Sequence, residues 1–143
     1  MSLELFDTNV LLAAVLPHRE DHEIAQRIIN QSKQLGRACI CVHSLAEAYS
    51  TLSGKLGIPP KQAFEILEFA LRGMIILAFA PTDHMNAIKR MVLLGIGGAG
   101  IYDALIAELA LRHKCDKILT FNAKHFIRLG ADIASIVEVP KLT

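Results

Sequence analysis

Three acids stand among apolar neighbours. Asp7 follows Leu3-Glu4-Leu5-Phe6, Glu47 lies in Ser44-Leu45-Ala46-Glu47-Ala48-Tyr49, and Asp103 opens Asp103-Ala104-Leu105-Ile106-Ala107-Glu108-Leu109-Ala110-Leu111. Each has a plain reading. Asp7 sits at a strand-to-helix corner and Asp103 at the first turn of an apolar helix, so both suit helix capping. Glu47 falls opposite the apolar stripe of its helix, a solvated position that periodicity does not select. Brought together, the three carboxylates would repel, and one would stay protonated unless a counter-charge entered. A hard divalent cation, Mg²⁺ or Mn²⁺, resolves that conflict, because it takes oxygen ligands and keeps waters when few carboxylates hold it.

The elements that must position these acids alternate along the chain. Leu3–Phe6, Ala38–Val42, Met74–Phe79, Lys117–Phe121 and Ser135–Val139 read as strands, the third a wholly apolar run suited to a sheet interior. Helical periods fill residues 10–16, 21–35, 61–72 and a segment from a Ser44 cap to Leu56. Thr82 caps a further helix to Leu94, one runs from Tyr102 to His113, and a short one spans Ala123–Leu129. Alternation predicts an α/β sandwich, helices on both faces of a mainly parallel five-stranded sheet, over one domain of residues 1–143. In such sheets ligands bind beyond the carboxyl ends of the strands. That edge receives Asp7, His43 or Ser44, Pro81 to Asp83, and Phe121-Asn122.

Composition narrows the classes. The 143 residues are 52% hydrophobic and carry a formal charge of +1, which excludes a disordered tail and a protein that binds nucleic acid by bulk charge alone. The opening MSLELFDTN lacks a basic n-region, and the apolar run around Met74–Pro81 is too short to span a bilayer, so a soluble cytoplasmic protein without a membrane role is expected. Three cysteines make a disulfide framework unattractive. Cys39, Cys41 and His43 share a strand face by period two, yet zinc would need a fourth ligand, and buried free thiols are preferred. Gly95-Ile96-Gly97-Gly98-Ala99-Gly100 follows a helix rather than a strand, so it reads as a loop leading to Asp103, not a dinucleotide fingerprint. His18 and His22 lack the Glu of a zinc-protease helix and mark a surface helix start with a possible place at the rim of the site. Arg19, Lys55, Lys89, Arg90, Lys124, His125 and Arg128 could line a cleft for a phosphate backbone or form a mixed surface. Lys124 and His125 stand out for following Asn122.

Four short motifs carry a resemblance. Phe6-Asp7-Thr8-Asn9-Val10-Leu11, Ser44-Leu45-Ala46-Glu47, Tyr102-Asp103-Ala104-Leu105-Ile106-Ala107, and Leu119-Thr120-Phe121-Asn122 followed by His125-Phe126 resemble, in order, the PIN-domain ribonucleases, most of all VapC-type toxins of toxin–antitoxin pairs. The resemblance implies a PIN-like three-layer α/β/α fold and a metal-dependent endoribonuclease. By the same resemblance Asp7, Glu47 and Asp103 are metal ligands, and Thr8 and Asn9 support Asp7 by hydrogen bonds. It also implies an RNA substrate, a small antitoxin partner and a homodimer. Asn122 stands where the family often has Asp. Its amide oxygen can ligate a metal or orient a water but adds no charge, which weakens the case for a second metal. Two rivals remain: a PIN-like module that binds RNA or protein without cutting, and a haloacid-dehalogenase-like phosphatase, which wants an acid where Asn9 stands.

Overall fold

A computed structural model describes residues 2–141. Five short strands form one parallel sheet: β1 (Glu4–Phe6), β2 (Ala38–Cys41), β3 (Ile75–Leu77), β4 (Lys117–Leu119) and β5 (Val137–Glu138), in the order β3-β2-β1-β4-β5. Parallel strands need crossovers, and helices supply them. They are α1 (Thr8–Val15), α2 (His22–Gln34), α3 (Val42–Ser50), α4 (Pro60–Leu71), α5 (Pro81–Leu94), α6 (Gly100–Arg112), α7 (Ala123–Ile127) and α8 (Ala131–Ala134). Among the described residues no helix is long and apolar enough to cross a membrane.

Side-chain alternation along the strands sorts the core into two faces. Leu5, Cys39, Cys41, Leu77 and Ile118 pack with Ala87, Met91, Ala104, Ala107, Leu109 and Phe126 from α5, α6 and α7. Phe6, Ala38, Ile40 and Leu119 face the other way, onto Val10, Leu11, Ala25, Ile29 and Leu52. The result is the expected three-layer sandwich. β1 and β4 are its hinge for the site: Phe6 pairs with Leu119, so the residues just beyond, Asp7 and Thr120, end side by side.

Several boundaries differ from expectation for identifiable reasons. The apolar run Met74–Phe79 forms an edge strand, not an interior one, and Ile75 and Ile76 are exposed. A wholly apolar strand shows that both faces want covering; it does not show how many neighbours the strand has. α3 starts at Val42, with Cys41 rather than Ser44 at its N-cap. Ser44 is buried and turns its hydroxyl inward. α3 continues into a π-helical turn, Thr51–Lys55, where Thr51 and Ser53 hydroxyls donate back to the carbonyls of Glu47 and Tyr49. Such back-bonding competes with the ordinary ladder. α5 begins at Pro81, and its start is held by the Asp83 carboxylate accepting from the Ala80 N–H at 2.7 Å rather than by Thr82. α6 begins two residues before Tyr102. α8, a single turn, is too short to show a period.

Candidate active site

Asp7 is the N-cap of α1, with its Oδ1 accepting from the Thr8 N–H at 2.8 Å. The capping reading is therefore correct, but it uses only half the carboxylate. Oδ2 accepts from the Thr120 hydroxyl at 2.8 Å and from Asn9 Nδ2 at 3.3 Å. Asn9 also takes the Phe121 N–H on its Oδ1 at 3.2 Å, and Thr120 Oγ1 takes the Asn122 N–H at 3.0 Å. The start of α1 and the chain leaving β4 are thus laced together around one acid. Thr8 adds a tie to α3, because its hydroxyl donates to Ser44 Oγ at 2.7 Å.

Asp103 is not a cap. α6 starts at Gly100 with Ala99 as its N-cap, and Asp103 lies within the first turn, where its charge suits the helix dipole but, among the described residues, its side chain bonds no backbone N–H. It lies 3.7 Å from His125 Nδ1, at the start of α7. Glu47 is exposed on α3, with His43 Nε2 at 3.8 Å. His43 belongs to this helix, so it does not share a strand face with the buried Cys39 and Cys41. Asn122 precedes α7 and is exposed; its backbone is held by Thr120 and its amide makes no capping bond. Lys124 and His125 project from α7 beside it.

The electrostatics mark this edge. Burial pushes the Asp7 carboxyl up to about 6, against the lowering effect of its Thr120 and Thr8 bonds, and the charges of Asp103 and Glu47 push the same way. Burial also raises Asp103, partly offset by His125 and Arg128 and reinforced by Glu47. The three acids therefore act within one another's field. Among the described residues, no three His, Cys, Asp or Glu side chains close into a group that could hold a metal ion as they stand. The donors are all carboxylate and amide oxygens and the set has excess negative charge, so its chemistry fits a hard cation that retains several waters. Of the proposed basic rim, Arg90 is spoken for: it bonds Glu108 at 2.7 Å, Asp132 at 2.9 Å and the Leu129 carbonyl. Arg19 pairs with Asp21.

A PIN domain family model matches residues 5–131. The chain belongs to the PIN domain family. Ribonuclease VapC27 of Mycobacterium tuberculosis is 30% identical to this PIN domain over 82 residues, 55% of the chain and 58% of the relative. The match thus spans somewhat over half of that relative's length. VapBC2 from Rickettsia felis, solved bound to a DNA fragment from its promoter, superposes with a TM-score of 0.74 at 19% identity, covering 97% of this chain and 99% of that one. Mycobacterium tuberculosis VapC20, a sarcin-ricin loop cleaving toxin, gives 0.74 at 16%, covering 96% and 99%. At such identities the superpositions show the fold. Family membership removes the phosphatase reading.

Two residues that brace this candidate site stand in the sequence motifs without the roles they take, and Ser44 reads there only as a helix cap at this edge. Thr120 is the central donor to Asp7, and Ser44 anchors Thr8. A signal was present: Thr120 leaves β4 as Asp7 leaves β1, and adjacent parallel strands place their ends together.

Proposed function

We propose that this chain is a metal-dependent endoribonuclease, the toxin of a cytoplasmic toxin–antitoxin pair, working as one domain over residues 1–143. The observation that carries the reading is the convergence of β1, α3, α6 and the β4–α7 turn on Asp7, whose carboxylate is gripped by Thr8, Asn9 and Thr120 beside two further acids. Asp7, Glu47 and Asp103 would hold Mg²⁺ or Mn²⁺. Such an ion would acidify an attacking water and neutralise charge on the phosphate. Thr120, Thr8 and Asn9 keep Asp7 aimed at the site. Asn122 orients water, and Lys124 and His125 contact the RNA backbone. The named relatives support the RNA substrate and a small antitoxin partner. Apolar side chains left exposed on β3 and α5, among them Ile76, Ile88 and Val92, support a homodimer.

The test is cleavage of an oligoribonucleotide by the purified chain. Cleavage should require Mg²⁺ or Mn²⁺, disappear in Asp7→Asn, and leave 5′-phosphate and 3′-hydroxyl ends, because water rather than the ribose 2′-hydroxyl attacks. Ends with 2′,3′-cyclic phosphate would move the chemistry to acid–base catalysis. RNA binding without any cleavage would favour the binding-only module, which the open spacing of the acids also suits.

A further inference from the structure

The site edge carries two aromatic rings that the acid chemistry does not use. His43 on α3 and Tyr102 on α6 lie nearly parallel, 6° apart, with ring centroids separated by 6.0 Å. Each belongs to a helix that presents a proposed metal ligand. Tyr102 immediately precedes Asp103, and His43 is one turn before Glu47, which it approaches at 3.8 Å. Both remain open to solvent: Tyr102 is 56% exposed and the His43 side chain 49%. Among the described residues the Tyr102 hydroxyl makes no hydrogen bond. A half-exposed ring pair of this kind adds little to the core.

The affinity problem says what the pair is for. A substrate phosphate must approach an edge rich in carboxylates, on a chain whose formal charge is only +1. Bulk electrostatics therefore contributes little attraction, and the nearby cations are few. Flat rings beside an active site offer another source of affinity, since every nucleobase has a face and stacking is tolerant of sequence. Single-stranded RNA has such faces free. Resting on the ribonuclease reading, we propose that His43 and Tyr102 form a stacking platform for an unpaired nucleobase next to the scissile phosphate. They position the substrate and set a preference for single-stranded RNA.

The test uses the full chain and a short oligoribonucleotide carrying one 2-aminopurine, whose emission falls when it stacks. The chain has no tryptophan, so excitation of the probe is clean. On rapid mixing in Mg²⁺, before cleavage, the wild type should quench the probe. Tyr102→Leu should abolish the quench and raise KM by about tenfold with kcat nearly kept, at an unchanged melting temperature. Tyr102→Phe should behave as wild type, because the ring face and not the hydroxyl is used. His43→Gln supplies a second removal should Tyr102→Leu fold poorly, and should weaken the quench in the same direction. Normal quenching and KM in both ring-removing variants, with cleavage intact, would overturn the platform while leaving the ribonuclease. A wild type that neither binds nor cuts RNA would overturn the ribonuclease reading, and the platform with it.

Discussion

Two buried aspartates behave in opposite ways: Asp7 lies beyond the carboxyl end of β1, and Asp83, which the sequence places at that same edge, lies instead against Arg112 at the end of α6, the segment that leads into β4. Asp83, at the start of α5, is 2% exposed, and Asp7 is 8% exposed. Burial raises both. At Asp83 the Arg112 guanidinium donates to both oxygens at 2.9 and 3.0 Å, and with the Ala80 N–H it holds the carboxyl below its ordinary range. Asp132 is likewise held down, first by Arg90. At Asp7, among the described residues, no guanidinium or ammonium answers, only neutral donors and two more acids, and the carboxyl rises to about 6. Burial is common to the pair; the counter-charge is not. The fold brings its own cations to α5, α6 and α8 and, among the described residues, pairs none with Asp7; on the proposed function, the cation for the end of β1 comes from outside.

The contrast breaks most visibly at Asp7 and at Arg90, the cation that holds Asp132 down. Asp7→Asn should reduce cleavage by at least about a hundredfold, because even outer-shell partners of metal ligands typically cost 10- to 100-fold. The same change should stabilise the metal-free chain at neutral pH. The sign follows from linkage. A carboxyl raised from 3.8 to about 6 binds protons more tightly folded than unfolded, so metal-free stability falls as pH rises through that window. The loss is complete above pH 6 and amounts to at most about 3 kcal/mol. Melts of wild type and Asp7→Asn at pH 4.5 and 7.5 should therefore diverge as pH rises. Arg90→Ala should do the reverse, costing roughly 3 kcal/mol by stranding Glu108 without its partner.

Smaller effects sharpen the picture. Thr120→Val keeps the shape and removes the central donor, so metal affinity should drop about 10- to 100-fold, read from metal titrations of cleavage. Asp103→Asn should leave the metal-free chain as stable or slightly more stable, since it relieves repulsion at Asp7, while weakening metal binding. Smallest is Asn122→Asp, which adds a full charge and should lower the half-saturating Mn²⁺ concentration a few-fold, with Asn122→Ala raising it. Identical metal dependence for Asp, Asn and Ala would put residue 122 outside the site.

Much of this was legible where one physical signal dominates. α2, α4 and α5 follow from their amphipathic stripes and stops, such as Gly95, which ends α5 at φ 67°. Asp7 and Asp103 stood out because acids are rare in apolar surroundings. Glu47 shared the apolar neighbours, but periodicity gave it an ordinary solvated position on α3, and only resemblance gave it a role as a metal ligand. Ser44 and Thr120 were hidden because a hydroxyl looks alike whether it caps a helix, fills a strand end or grips a carboxylate. What distinguishes them is the β1–β4 register, a long-range fact that no local pattern contains. The edge position of β3 was illegible for the same reason.

The central claim is that the end of β1 awaits an external cation while the rest of the fold carries its own. Thermal melts with and without Mg²⁺ or Mn²⁺ test it directly, on wild type and on Asp7→Asn. A metal that binds only the folded chain should raise the wild-type Tm by on the order of 8 °C at a hundredfold excess over Kd, and Asp7→Asn should lose most of that rise. A wild-type Tm indifferent to both metals, or a rise equally large in Asp7→Asn, would contradict it.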